Sequence, residues 1–227
     1  MKISIVIPVY NEETTLREIV SRIEATPYEK EVILVDDFSS DSSKSILEEL
    51  QSREGFKVLY HEKNRGKGAA LRTGFSEVSG EVVIIQDADL EYDPADYEQL
   101  LGPIKDGRAD IVFGSRFLGG PHRVMFFWHY VGNKTLTTLS NMLTNLNLTD
   151  METGYKVFTK KVLDSLTLKC DRFGFEPEFT SKIARYNFRV YEVPISYSGR
   201  DYNQGKKITW KDGIAALWFI FKFRFLD

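Results

Sequence analysis

The chain has 227 residues, 42% of them hydrophobic, enough for one large α/β domain or two small ones around a sizeable core. Thirty lysines and arginines against 33 acids leave a net charge of -3, which excludes a general nucleic-acid binder with its basic footprint. Cys170 is the sole cysteine, which excludes an intrachain disulfide framework and a multi-cysteine metal site and fits a reducing, cytoplasmic setting.

In chain order, the apolar opening MKISIVIPVY runs straight into NEE with no small-residue cleavage site, so it predicts a buried strand over 3–9 and no secretion signal. Further β-rich runs predict strands at 31–36, 57–61, 81–87 and 110–115. Amphipathic or capped stretches at 12–26, 41–53, 67–79 and 94–107 predict helices between them. This alternation implies right-handed crossovers and a Rossmann-like, mostly parallel α/β sheet with helices on both faces. Past residue 116 the rhythm breaks into a loop at 118–123, a helix over 127–146, a strand at 153–159, a helix at 176–186, a strand at 189–197 and a closing helix over 208–227. No Gly/Ser-rich linker intervenes. A single domain, 1–227, is therefore expected, with a nucleotide-binding half at 1–115, an acceptor half at 116–208 and a terminal amphipathic helix at 209–227. No apolar stretch approaches the roughly 20 residues that span a bilayer.

Sheets of this kind bind ligands at the carboxyl ends of their strands, near a switch in strand order. In QDADLEYDP (86–94), Asp87, Asp89 and Glu91 alternate, so on a chain that stays extended all three share one side. A hard divalent cation, Mg²⁺ or Mn²⁺, takes such oxygen ligands: Asp87 and Asp89 supply a pair, with Glu91 as a third ligand or as a partner behind them. The alternative is a charged loop in which Asp93-Pro94 merely starts the next helix. Tyr10 and Glu12 behind the first strand and Asp37 behind the second can converge with Asp87. They offer an aromatic ring for stacking on a base and acids for base or ribose hydrogen bonds. Glu12 also suits a first helical turn, and Asp41 and Ser42 suit helix caps. Lys67 in NRGKGAALRTG starts a helix that can hold an anion; otherwise the stretch is a glycine-permitted turn with Ala69 and Ala70 packed on the sheet.

Taken together and in this order, VIPVYNEE, LVDDFSSDSS, NRGKGAALRTG, QDADLEYDP and GSR resemble the family-2 inverting glycosyltransferases of GT-A fold. Among these the chain is most similar to the dolichyl- or polyprenyl-phosphate sugar transferases, over about residues 1–200. The resemblance implies that Pro8, Tyr10, Glu12 and Asp37 hold the nucleoside of a sugar nucleotide. It implies that Asp87, Ala88, Asp89 and Glu91 form a D-x-D metal site and that Arg116 faces the acceptor. Two departures stand out. Glu91 replaces the Gln usual in mannosyl-transferring relatives, which leaves GDP-mannose and UDP-hexoses both open as donors. His129 and Asn133 stand where an Arg and a Ser are expected, with Arg123 or Lys134 as substitutes.

Breaking the anomeric bond of such a donor builds charge on the departing diphosphate, which a cation on Asp87 and Asp89 offsets. Lys67, Arg200, Lys206 and Lys207 can add positive charge if the loop GRDYNQGKK closes; otherwise that loop is a solvated basic segment. Asp150 and Glu152 in TDMETGYK can act as base for a hydroxyl acceptor or orient Arg and Lys side chains for a phosphate acceptor. In the closing helix, Trp210, Ile214, Leu217, Trp218 and Phe221 recur at helical spacing beside Lys211, Lys222 and Arg224. That pattern suits docking on a membrane surface at the cytoplasmic face, with core packing, a homo-oligomer contact or a separate membrane partner as alternatives. A glycosyltransferase acting on a sugar hydroxyl, a non-catalytic binding module and a nucleotidyltransferase are the competing functions.

Overall fold

A computed structural model of the chain describes residues 1–119, 123–124, 126–172, 174–199 and 210–226. Its strands are β1 (Ile3–Val9), β2 (Lys30–Asp36), β3 (Phe56–Tyr60), β4 (Val82–Ile85), β5 (Ile111–Ser115), β6 (Lys156–Thr159) and β7 (Val190–Pro194). They form one sheet in the order β3-β2-β1-β4-β6-β5-β7. β2 and β4 flank β1 in parallel, so strand order reverses at the β1/β4 boundary, the place where such sheets bind ligands. β5 does not follow β4 directly. β6 runs antiparallel to both and separates them, while β7 lies parallel to β5. Side-chain alternation is the same whichever way a strand runs, so the sequence predicts β6 without its direction.

Period two also divides the core. Ile3, Ile5, Ile7 and Val9 of β1 point to one face, where they meet α1 (Leu16–Glu24), α2 (Ser43–Leu50) and α4 (Tyr97–Lys105). Val6 points to the other, against α3 (Lys67–Phe75), α6 (Lys160–Ser165), α7 (Phe175–Ile183) and α8 (Trp210–Phe225). α5 (Phe127–Thr144) packs Leu136, Leu139 and Leu143 on this second face. In α1 the four core residues are Leu16, Ile19, Val20 and Ile23, at helical spacing. Each is worth about 1.5–3 kcal/mol of burial, so a charge at Ile19 would detach the helix.

Local chemistry sets the helix starts. Asp41, rather than Ser42, caps α2 by accepting from the Ser43 N–H at 2.9 Å, and it also accepts from Glu13 N–H. Asp93 accepts from Ala95 N–H at 2.9 Å, and Pro94 opens a 3-10 turn that feeds α4. α8 divides its apolar residues between two faces. Ala216, Ile220 and Phe223 are buried, whereas Ile214, Trp218, Phe221 and Phe225 are exposed, Trp218 by 58%.

Candidate active site

The loops behind β1, β2 and β4 carry three of the four described non-glycine residues with left-handed backbone: Asn11 (φ 53°), Phe38 (φ 66°) and Leu90 (φ 61°). Strain of this kind costs of order 1–3 kcal/mol per residue and gathers where loops are shaped for function. Behind β1, Tyr10 is 40% exposed, Pro8 lies opposite Val35, and Glu12 is buried, its Oε2 accepting from Thr15 Oγ1 at 3.0 Å. Behind β2, Phe38 is 55% exposed, a second aromatic face on these loops that the sequence reading does not single out.

Asp37 is only 3% exposed. Its Oδ1 lies 2.7 Å from His61 Nδ1 and accepts from Arg65 N–H at 2.8 Å, and its Oδ2 accepts from Gly66 N–H at 2.7 Å. The other ring nitrogen of His61 meets Thr73 Oγ1 at 2.9 Å. Asp37 therefore pins the turn that enters α3, and any nucleoside contact it makes uses its remaining lone pair. Gly66 adopts φ 98° in that turn, and a Cβ there would lie 2.6 Å from Asp171 O, so only glycine fits. Ala69 and Ala70 are buried, so the tight-turn reading of NRGKGAALRTG holds together with an exit that aims Lys67 inward.

The three alternating acids do not converge. β4 ends at Ile85, a turn follows at Ala88 and Asp89, and the left-handed Leu90 swings the chain away, so the extended geometry behind a shared side is lost. Asp87 meets Lys67 Nζ at 2.8 Å (Oδ1) and 3.0 Å (Oδ2). Asp89 Oδ1 accepts from Glu91 N–H at 3.1 Å, and Glu91 Oε2 accepts from Tyr197 O–H at 2.7 Å. Glu91, expected as a third ligand or as a partner behind the ligands, ties the loop to Tyr197, which fits the second of these roles. Among the described residues no three His, Cys, Asp or Glu side chains form a ready cage. Asp87 and Asp89 still suit a hard cation, which needs only one or two carboxylates alongside water and phosphate oxygens. The ammonium spanning both oxygens of Asp87 marks a spot that already favours positive charge.

On the acceptor side, Arg116 directs Nε and Nη2 onto Asp150 Oδ2 and Oδ1 at 2.6 and 2.7 Å, and its backbone N–H reaches Oδ2 at 3.1 Å. Asp150 is 0% exposed and fully engaged by Arg116, so of its two expected roles, base or orienting partner, this geometry fits the second. Glu192, absent from the sequence motifs, holds this turn by accepting from Thr149 N–H at 2.8 Å and Asp150 N–H at 3.2 Å. The Tyr197 ring lies 5.2 Å from the guanidinium carbon. Of the expected acceptor residues, Lys134 reaches Thr149 O at 3.2 Å, beside Asp150. Arg123 is exposed and donates to Gly199 O, Asn133 accepts from Thr137 Oγ1, and the His129 ring lies beside Phe126. Arg200, Lys206 and Lys207 lie outside the described residues.

Between the two ends lies a buried charged network. Glu176, from the first turn of α7, reaches Lys67 at 3.4 Å. Burial and Glu176 push Glu152 up to about 8 against the pull of Lys156 and Arg116, and its Oε1 is buried without a hydrogen-bond partner. Burial lowers Lys156 to about 8, although Glu176 favours its charged form, and its ammonium donates to Thr153 O. Burial pulls the pKa of Lys67 down as well, but Asp87 and Glu176 outweigh it and raise it.

The model of the family described as Glycosyl transferase family 2 matches residues 4–167. The chain belongs to that family. It is 32% identical over 211 residues to the dolichol-phosphate mannosyltransferase of Pyrococcus furiosus, an alignment covering 91% of this chain and 59% of that protein. The chain thus spans well under two thirds of that relative's length. Solved structures of glucosyl-3-phosphoglycerate synthase from Mycobacterium tuberculosis share the fold. The complex with Mn²⁺, uridine diphosphate and glucosyl-3-phosphoglycerate has a TM-score of 0.72 at 19% identity, covering 98% of this chain and 80% of that one. The complex with uridine diphosphate alone has a TM-score of 0.75 at 18% identity, covering 97% and 79%. At such identities the likeness concerns the fold, and it bears out the GT-A expectation for this family-2 chain.

Proposed function

We propose that this chain is a divalent-cation-dependent, inverting glycosyltransferase that moves a hexose from GDP-mannose or a UDP-hexose onto a polyprenyl phosphate. The observation that carries the choice of acceptor is the engagement of Asp150, fully buried and bonded three times by Arg116. A hydroxyl acceptor must lose its proton during attack, and a carboxylate so occupied is badly placed to take it. A phosphate monoester has its second pKa at about 6 and is already a dianion at neutral pH. What it needs is a fixed cation, and Asp150 keeps Arg116 both charged and oriented. The dolichol-phosphate mannosyltransferase relative supports the same acceptor class.

In this reading Tyr10 and Phe38 offer stacking faces to the base, and Pro8, Glu12 and Asp37 shape the nucleoside pocket. Asp87 and Asp89 would hold the cation, with Ala88 between them packed into the core as an anchor of the turn. When bound, the cation offsets charge on the departing diphosphate. Lys67 adds charge on the donor side, joined by Arg200 and Lys206. Arg116 receives the acceptor phosphate, with Lys134 beside the Asp150 turn, and Arg123, His129 and Asn133 serve the rest of the acceptor. One phosphate oxygen bonds to the anomeric carbon as the bond to the diphosphate breaks, and the electron pair leaves with the diphosphate.

The halves 1–115 and 116–208 act as one domain, and the terminal segment 209–227, which contains α8, docks it peripherally on the cytoplasmic membrane face. Exposed Ile214, Trp218, Phe221 and Phe225 with Lys222 and Arg224 support that docking. No described helix is long and apolar enough to cross a membrane.

The test incubates the chain with Mn²⁺ and GDP-mannose, UDP-glucose or UDP-N-acetylglucosamine, together with a polyprenyl phosphate or the matching polyprenol. Lipid-linked sugar is expected with the phosphate and one donor. Transfer to the polyprenol or to a sugar hydroxyl, and not to the phosphate, refutes the acceptor.

A further inference from the structure

Lys67 stands between two acids brought together from distant parts of the chain. Its ammonium bridges both oxygens of Asp87, behind β4, and lies 3.4 Å from Glu176 Oε1 at the start of α7. All three side chains are largely buried, so the charges meet in a poorly screened interior where each must be compensated. For neutralising Asp87, Lys67 suffices alone, yet Glu176 stands within reach of its ammonium as a second acid, while also favouring the charged form of Lys156. A second acid beside Lys67 has a use if Lys67 does not always sit on Asp87.

A divalent cation at Asp87 and the Lys67 ammonium would compete for the same two oxygens and repel one another at short range. Loss of Asp87 would leave the ammonium buried without an acid unless a second stood within reach, and Glu176 stands there. We propose that Lys67 is a built-in counter-ion of Asp87 that the donor-site cation displaces, and that Glu176 is the positioning residue that receives it. This inference rests on Asp87 being a ligand of that cation. It makes the two side chains act on cation affinity in opposite senses. Lys67 occupies the oxygens the cation needs. Glu176 stabilises Lys67 in the displaced position, where it keeps its charge beside the diphosphate.

The experiment measures Mn²⁺ binding to the full chain by calorimetry and by the paramagnetic resonance of free Mn²⁺, without nucleotide and with UDP or GDP. Lys67→Met is expected to bind Mn²⁺ about tenfold more tightly than the unaltered chain, and Glu176→Gln about tenfold more weakly, the change that 1.4 kcal/mol produces. Glu176→Asp, which keeps the charge, is expected between Glu176→Gln and the unaltered chain. Loss of fold weakens binding in every variant, so a gain in Lys67→Met cannot arise that way. If the unaltered chain binds Mn²⁺ and the two variants shift affinity in the same direction or not at all, the counter-ion inference is overturned and the donor site stands. If the unaltered chain binds no Mn²⁺ even with UDP or GDP, both fall.

Discussion

Arg116 and Asp150 face each other as a two-pronged ion pair, 2.6 and 2.7 Å across, with Asp150 wholly enclosed. Removing one member of a buried pair leaves the other charge uncompensated, at a cost of about 3–5 kcal/mol. Asp150→Ala is therefore expected to lower the urea midpoint sharply. Asp150→Asn keeps the shape and loses the charge, so transfer should fall through misplacement of Arg116 while the pH profile keeps its form. Disappearance of a single ionisation from that profile would restore Asp150 as the base.

The Asp37–His61 contact makes a second prediction. His61→Leu deprives Asp37 Oδ1 of one of its two partners, a loss of about 1–3 kcal/mol for a buried polar group. Hydrogen exchange at the Arg65 and Gly66 amides should accelerate, and affinity for the nucleoside diphosphate should drop. Unchanged exchange at both amides would mean that the turn is held without His61.

Gly154 offers a third. A Cβ at this position would overlap Asp87 Oδ2 and come within 2.8 Å of the Tyr92 ring. Overpacking of this sort costs about 1–3 kcal/mol, and the carboxylate is the part free to yield. Gly154→Ala is expected to weaken Mn²⁺ binding about tenfold or more while the chain stays folded by circular dichroism. Full Mn²⁺ affinity in this variant would place the cation away from Asp87.

A fourth concerns pH and lies outside the site. Burial raises the pKa of Glu31, but the Ser4 hydroxyl, the Ser79 N–H and hydroxyl and Lys2 outweigh it and bring it down from 4.5 to about 2. Because the folded value is depressed, this group's contribution is fully present above pH 4.5 and drains away as pH falls toward 2. Its size is on the order of 2 kcal/mol once water near Lys2 and Lys57 is allowed for. Urea denaturation at pH 7 and pH 3 should show the penalty of Glu31→Gln reduced, though not abolished, at the lower pH. An equal penalty at both values would contradict the shift.

Much of the frame was legible locally. Strand β1 was readable because Ile3, Ile5, Ile7 and Val9 alternate with Val6, and α1 because Leu16, Ile19, Val20 and Ile23 recur at helical spacing. The strand ends, and hence Tyr10, Asp37 and Asp87 as site candidates, followed from where those patterns stop. The shared side expected for Asp87, Asp89 and Glu91 misled because strict alternation holds only on an extended chain, and Leu90 at φ 61° breaks it. Nothing in the local pattern announces a left-handed leucine.

His61, Glu176, Glu192 and Tyr197 were invisible as site residues for another reason. Glu176 meets Lys67 and Tyr197 meets Glu91 only because the sheet folds around β4, and separations of 109 and 106 residues leave no trace in a window of ten. By itself the sequence determined the family, the alternating architecture and the acids at the strand ends, since each follows from short-range periodicity and ordered motifs. The tertiary structure alone decided that β6 runs antiparallel, that Asp150 is spent on Arg116 and that Lys67 is shared between Asp87 and Glu176. Those outcomes depend on which distant groups share a buried space, where every charge must find its partner.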